Sequence, residues 1–264
     1  MDVSGLKNKM NKLTKNILYM ASRSNLLGKV CRKIVDYQRN ENNCDLETNG
    51  EADFIKKNSN NFKIVFDVGA NIGEWSNLIS DILPNGKIYS FEPSRKTFAT
   101  LEKNIKNIKK ENILAFNLGL GDKSEQKVFY NYGNDSTLNS SINRVIKLHS
   151  QTLEMVSFDT LENFCQEKNI NQISFLKIDV EGGELSVLKG SEKFIEAGKI
   201  NYIQFEYGGT YIDAEILLKD IFTFFENKPY EIYKIMQKKL QKINQYDPEL
   251  ENFQYANYLA ILKK

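Results

Sequence analysis

The nine residues Val65-Phe66-Asp67-Val68-Gly69-Ala70-Asn71-Ile72-Gly73 constrain this chain more than any other stretch. A β-rich apolar run ends there in a glycine turn, and an amphipathic segment, Glu74–Ile82, follows at once. A strand feeding a helix in this way marks the place where doubly wound sheets bind nucleotides. Gly69 can take the tight turn and let the backbone approach a ligand closely. Gly73 permits close entry to the helix, whose free N–H groups favour an anion.

A second signal, Phe91-Glu92-Pro93, closes the next β-rich run. An acidic side chain some twenty residues beyond the glycine turn is placed to accept hydrogen bonds from ribose hydroxyls. Pro93 ends the strand and helps fix that carboxylate at the rim. Dinucleotide enzymes favour GxGxxG, which Gly69-Ala70-Asn71-Ile72-Gly73 replaces here. The pair therefore points to a nucleoside cofactor, and to S-adenosylmethionine (SAM) before a dinucleotide, the methionine carboxylate suiting the helix start.

The third signal is Leu176-Lys177-Ile178-Asp179-Val180-Glu181-Gly182-Gly183-Glu184. Asp179 and Glu181 close a buried run at the sheet edge that also carries Gly69 and Glu92, and alternating strand geometry puts them on one face. Such a pair could orient an acceptor hydroxyl, take its proton, or hold a divalent ion such as Mg²⁺. The structural alternative has Asp179 capping the next helix, with Glu181 or Glu184 in its first turn. Glu206, ending the next β run, is a further candidate. Asp179, Glu181 and Glu206 are the candidate metal ligands, with no metal as the standing alternative. His149, the only histidine, reads as a solvated loop residue. Trp75 reads as packing its helix before stacking on adenine.

From Phe62 onward, short β-rich runs alternate with amphipathic helices, the pattern of βαβ units and a parallel sheet. Strands are predicted at Ile64–Val68, Lys87–Phe91, Ile113–Leu118, Ile173–Val180, Ile200–Glu206, Tyr230–Ile235 and Tyr255–Leu262. Helices are predicted at Glu74–Ile82, Arg95–Ile108, Phe158–Glu167, Leu185–Ala197 and Asp213–Glu226. A β-ribbon around Val128–Tyr132 and a polar loop, Gly133–Asn143, interrupt the alternation. Before Phe62, residues 5–39 read as helical, with Leu6, Met10, Leu13, Ile17 and Met20 on one face and a break near Ser22–Asn25. A polar connector follows, with a short helix around Glu51–Lys57. The predicted division is a helical appendage over 1–60 and a catalytic domain over 61–264.

The formal charge of +2 argues against a nucleic-acid partner. Residues 1–39, however, hold nine Lys or Arg against Asp2 and Asp36. That basic helical segment fits a lid or dimer contact, or a peripheral membrane contact. Cys31, Cys44 and Cys165 suit neither a disulfide framework nor a zinc site. With no signal-like core and no apolar run near the ~20 residues of a membrane span, the expectation is a cytoplasmic protein.

The blocks Phe66–Gly73, Phe91–Pro93, Ser157-Phe158-Asp159-Thr160-Leu161 and Leu176–Gly182, continuing to Val187-Leu188-Lys189-Gly190, together resemble the FkbM-type methyltransferases of the class I SAM-dependent fold. The resemblance spans about residues 62–206. It implies a Rossmann-like, doubly wound α/β domain whose mostly parallel seven-stranded sheet ends in an antiparallel strand, here Ala256–Ile261. It implies O-methylation of a small molecule or glycan. Carried over, Asp67, Gly69, Ala70, Asn71, Gly73, Glu92 and Pro93 would bind SAM, Asn117 and Leu118 would lie near adenine, and Asp179 near the transferring methyl. Open alternatives are an acceptor that is protein or RNA, a SAM-binding scaffold without turnover, and a nicotinamide oxidoreductase. The acceptor and the oligomeric state stay open.

Overall fold

The computed structural model describes residues 12, 14–16, 18–19, 22–132, 139–143 and 151–263. His149, most of the polar loop Gly133–Asn143, and the predicted helical positions Leu6, Met10, Leu13, Ile17 and Met20 lie outside them. The chain divides into two compact units, residues 1–43 and 44–264. The expected boundary lay at 60/61, and this division falls at 43/44.

In the first unit, helix α1 (Asn25–Arg39) starts where Ser24 accepts a hydrogen bond from the Leu27 amide and ends on left-handed Asn40. This is the expected break near Ser22–Asn25. No described helix is long and apolar enough to cross a membrane.

The second unit opens with α2 (Glu51–Asn58) and then alternates strands and helices. Its main sheet has eight strands: β1 (Ile64–Val68), β2 (Lys87–Phe91), β3 (Ile113–Phe116), β7 (Ile173–Ile178), β8 (Ile200–Tyr207), β9 (Tyr230–Ile235), β10 (Leu240–Ile243) and β11 (Ala256–Leu262). Their order is β3-β2-β1-β7-β8-β11-β9-β10. Five neighbouring strands are parallel, from β3 through β8. The last strand, β11, inserts antiparallel between β8 and β9. The fold is the expected Rossmann-like one, with one strand more than seven. The addition is β10, a four-residue edge strand with half-exposed and exposed side chains that pairs antiparallel with β9. A run so short and polar carries almost no periodic signal.

A second sheet, β4 (Gly119–Leu120), β6 (Gln151–Asp159) and β5 (Glu125–Tyr132), stands beside the first. It corrects the helix expected over Phe158–Glu167. Ser157, Phe158 and Asp159 finish β6, Thr160 caps the helix through the Asn163 amide, and the helix runs Leu161–Glu167. Residues 184–197 likewise form two short helices, Glu184–Lys189 and Glu192–Glu196.

Alternation in the strands sends side chains to two cores. Phe66, Val68, Phe91, Leu176 and Ile178 join Phe164 on one face of the sheet. Phe164 meets the Phe91 and Phe116 rings edge-on, centroids 4.7 and 4.9 Å apart, contacts worth about 0.5–1.5 kcal/mol each beyond their buried area. Val65, Ile88 and Phe175 face the other way, onto Trp75, Phe62 and Phe54. Phe54 belongs to α2 and packs on Phe62, Phe175 and Tyr202. That is why residues 44–60 join the second unit. Strand order reverses between β1 and β7, and a ligand crevice belongs at that switch point.

Candidate active site

The cavity at the carboxyl ends of β1, β2, β7 and β8 has a volume of about 880 Å³, the upper part of the range for small-molecule sites. Its first half is the glycine turn. Gly69 (φ +86°), Asn71 (φ 49°) and Gly73 (φ +90°) all take left-handed backbone. The amides of Gly69 and Ala70 both donate to the Phe91 carbonyl, at 3.0 and 2.9 Å, tying the turn to β2. A Cβ on Gly69 would sit 1.8 Å from the Asp179 carbonyl oxygen, so the same turn is pressed against the end of β7.

Glu92 lies across from this turn, 5% exposed, and lines the cavity. Its carboxylate accepts from the Asn71 amide at 3.1 Å and the Ser94 amide at 2.9 Å. Burial pushes its pKa up to about 7, against the lowering effect of those two amides. Gly69, Ala70, Asn71, Glu92, Pro93 and Leu118 all line the cavity.

Three more of the expected cofactor residues are not among those lining the cavity. Asp67 is wholly buried beneath the turn, accepting from the Ser76 hydroxyl at 2.6 Å. Gly73 starts the helix, where an added Cβ would meet Leu101 at 2.6 Å. Asn117 donates its side-chain amide to the carbonyls of Glu92 and Pro93, at 3.0 and 2.8 Å. Asn117 buttresses the turn at the end of β2, because a short polar side chain next to unpaired backbone groups satisfies them first. Trp75 packs as expected, stacked on Phe175 with centroids 6.0 Å apart.

The second half of the cavity is acidic. One oxygen from each of Asp179, Glu181 and Glu206 lies within 4.8 Å of the others, a spacing at which a divalent cation could be held. Strand alternation is not what gathers them. β7 ends at Ile178, and Glu181 is turned back by a left-handed backbone (φ 56°). Burial raises the Glu206 carboxyl well above the usual carboxylate range, helped by the charges of Asp179 and Glu181 and a hydrogen bond to Asp179. The helix-start role falls to Glu184 alone. Its carboxylate accepts from the amides of Val180 and Gly182, and burial pushes it up to about 7.

Sequence reasoning missed the residue that joins the two halves. Ser90, Asp67, Lys177 and Gln204 are paired neighbours across β2, β1, β7 and β8, one polar row on one face of the sheet. The buried Lys177 ammonium sits 2.9 Å from Asp179 and 3.4 Å from Asp67, above the Trp75 ring at 5.4 Å. Burial alone would lower its pKa, and the charges of Asp179, Asp67 and Glu51 outweigh that and raise it. The one charge inside the wholly buried strand Ile173–Ile178 was the available signal, since buried lysines are nearly always paired.

Glu51 was also missed. This buried carboxylate accepts from the amides of Asn49, Gln204 and Asn257 at 2.5, 2.5 and 2.8 Å and forms part of the cavity wall with Tyr255 and Asn257. Burial raises its pKa despite Lys177 and these hydrogen bonds.

The profile of the Methyltransferase FkbM domain matches residues 67–237, from the buried Asp67 to just past β9. The chain belongs to the FkbM methyltransferase family. This FkbM domain is 32% identical over 142 residues to Methyltransferase 1 of Beauveria bassiana, covering 48% of this chain and 57% of that protein. It is 24% identical over 157 residues to the 2-O-methyltransferase NoeI of Sinorhizobium fredii, covering 54% of this chain and 63% of that protein. The match thus spans less than two thirds of either relative. Among solved structures, an FkbM methyltransferase from Methylobacillus flagellatus superposes with a TM-score of 0.49 at 17% identity, covering 75% of this chain and 44% of that one.

Proposed function

We propose that this FkbM domain transfers a methyl group from SAM to a hydroxyl oxygen of a sugar, glycan or other small metabolite. One observation carries the reading: a single cavity joins the glycine turn and Glu92 to the Asp179–Glu181–Glu206 cluster. The first half suits an adenosyl ligand. Glu92 is a buried acceptor held from behind by two amides, and each carboxylate oxygen keeps a further lone pair for a ribose hydroxyl. The Gly69–Asn71 backbone and the following helix start suit the methionine end, and Leu118 offers an apolar wall for the base.

When bound, SAM supplies a methyl group already activated by its sulfonium. The chain's own task is then alignment and removal of one proton. Alignment of two reactants contributes at most about 7–11 kcal/mol. The acceptor's proton goes to Asp179, whose carboxylate Lys177 anchors at 2.9 Å. A carboxylate base of this kind is worth about 10²–10⁴-fold. Glu206, whose carboxyl burial raises above the usual range, borders Asp179, and Glu181 helps orient the hydroxyl. A 2-O-methyltransferase among the relatives supports an oxygen acceptor.

The test is calorimetric titration with SAM and S-adenosylhomocysteine, beside NADH, on the native protein and Glu92→Ala. Micromolar adenosyl binding that the variant loses is expected. A preference for NADH, or binding indifferent to Glu92, overturns the reading. With an acceptor in hand, Asp179→Ala should reduce turnover far more than SAM affinity, and equal losses would remove Asp179 from its role.

A further inference from the structure

Helix α1 is strongly amphipathic. At ~100° per residue, Leu26, Val30, Ile34, Leu27 and Val35 fill one half of the helical circumference. The other half holds Lys29, Arg32, Lys33 and Arg39 against the single acid Asp36. Both ends are defined, by the Ser24 cap and left-handed Asn40. Yet none of the helix's residues is buried, and Leu26, Ile34 and Leu27 are 73%, 59% and 47% exposed. Among the described residues of its own unit, none covers the apolar half.

Three occupants could cover such a face. A second copy packing as a coiled coil would want a narrow seam sustained over three or four heptads. This helix has 15 residues and an apolar arc of about half the circumference. A nucleic acid would neutralise the basic half and leave the apolar half in water. An anionic lipid surface satisfies both halves together: the aliphatic arc enters the acyl boundary while long Lys and Arg side chains reach back to the headgroups. The charge complementarity extends upstream in the sequence through Lys12, Lys15 and Arg23.

We propose that Asn25–Arg39 is a membrane-surface helix that docks the protein on anionic lipid. The catalytic unit then works on acceptors presented at that surface. The docking itself is independent of which reaction the cavity performs.

Co-sedimentation of the full-length protein with vesicles tests it. Pure phosphatidylcholine vesicles are compared with vesicles containing about one-third phosphatidylglycerol, at low and at high salt. Binding to the anionic vesicles alone, weakened at high salt, is expected. The triple variant Lys29→Gln/Arg32→Gln/Lys33→Gln and the single variant Ile34→Glu should each weaken that binding about tenfold or more. Both lie outside the cavity, so S-adenosylhomocysteine titration checks that the catalytic unit is intact in each. Absence of vesicle binding overturns the proposal, as does equal binding to neutral vesicles. A concentration-dependent dimer in sedimentation that Ile34→Glu abolishes, with no vesicle binding, assigns the face to a second copy instead.

Discussion

Replacing Lys177 by methionine tests the polar row most directly. Methionine keeps the unbranched stem over Trp75 and removes the charge that Asp67 and Asp179 share. Asp179 is partly solvated and can turn to water. Asp67 is wholly buried and is left with the Ser76 hydroxyl. Removing one partner of a buried ion pair costs about 3–5 kcal/mol. In a domain of this size each kcal/mol moves the midpoint by about 2–4 °C, so thermal unfolding of Lys177→Met should shift down by roughly 6–20 °C near neutral pH. The loss should depend on pH. Burial raises the Asp67 pKa and Lys177 opposes that rise, so without Lys177 the carboxyl rises further. Its contribution to stability is complete below the unfolded value and disappears as pH climbs through the folded one. The gap between variant and native protein should therefore be small near pH ~4 and widen towards neutrality. Adding Asp67→Asn should recover much of the loss, because the orphaned charge is gone. Scanning calorimetry across pH reads all of this. A midpoint within about 2 °C of native at neutral pH, less than 1 kcal/mol by the same conversion, would refute the idea that Lys177 compensates Asp67.

Three further outcomes follow from the same geometry. Because burial pushes Glu92 and Glu184 up to about 7, the stability they contribute is present below the usual carboxylate pKa and lost as pH rises through about 7. The ligand-free protein should thus unfold at higher temperature at mildly acid pH than at mildly alkaline pH. S-adenosylhomocysteine affinity should move oppositely, weakening as Glu92 takes up its proton, and calorimetry on Glu92→Gln should flatten that dependence. Gly69→Ala forces a Cβ against the Asp179 carbonyl in a left-handed backbone, so it should abolish measurable adenosyl binding and lower the unfolding midpoint. A native-like titration would show that β1 and β7 can separate freely. Glu51→Ala removes one acceptor from each of the buried amides of Gln204 and Asn257, which keep their bonds to Asn257 and Tyr255, so it should cost about 1–3 kcal/mol. It should impair turnover more than adenosyl binding, measured by denaturant unfolding and paired kinetics.

The cofactor half of the site was legible because it is written locally. Gly69, Gly73, Glu92 and Pro93 are turn chemistry at strand ends, and both flanking elements, Ile64–Val68 and Glu74–Ile82, fall where periodicity puts them. The acceptor half is assembled across long separations. Glu51 finds its partners 153 and 206 residues away, and no window of sequence contains that contact. β6 was missed for a related reason. Its residues 151–159 become a strand by pairing with 125–132, and they leave Leu153 and Met155 exposed, which inverts the usual inward reading of apolar positions. Asp67 and Asn117 were recognised as part of the site, but sequence cannot tell a residue that touches a ligand from one that holds the turn.

The Glu51–Asn257 pairing also has a consequence for how the protein is made. A chain emerging from the ribosome completes β1, β2 and the glycine turn early, so the donor half can form while synthesis continues. The wall that contains Glu51 stays unfinished until β11, the last strand of the sheet, slides between β8 and β9 and delivers Asn257. A nascent chain stalled short of Ala256 could hold the adenosyl ligand and still have no chamber for an acceptor.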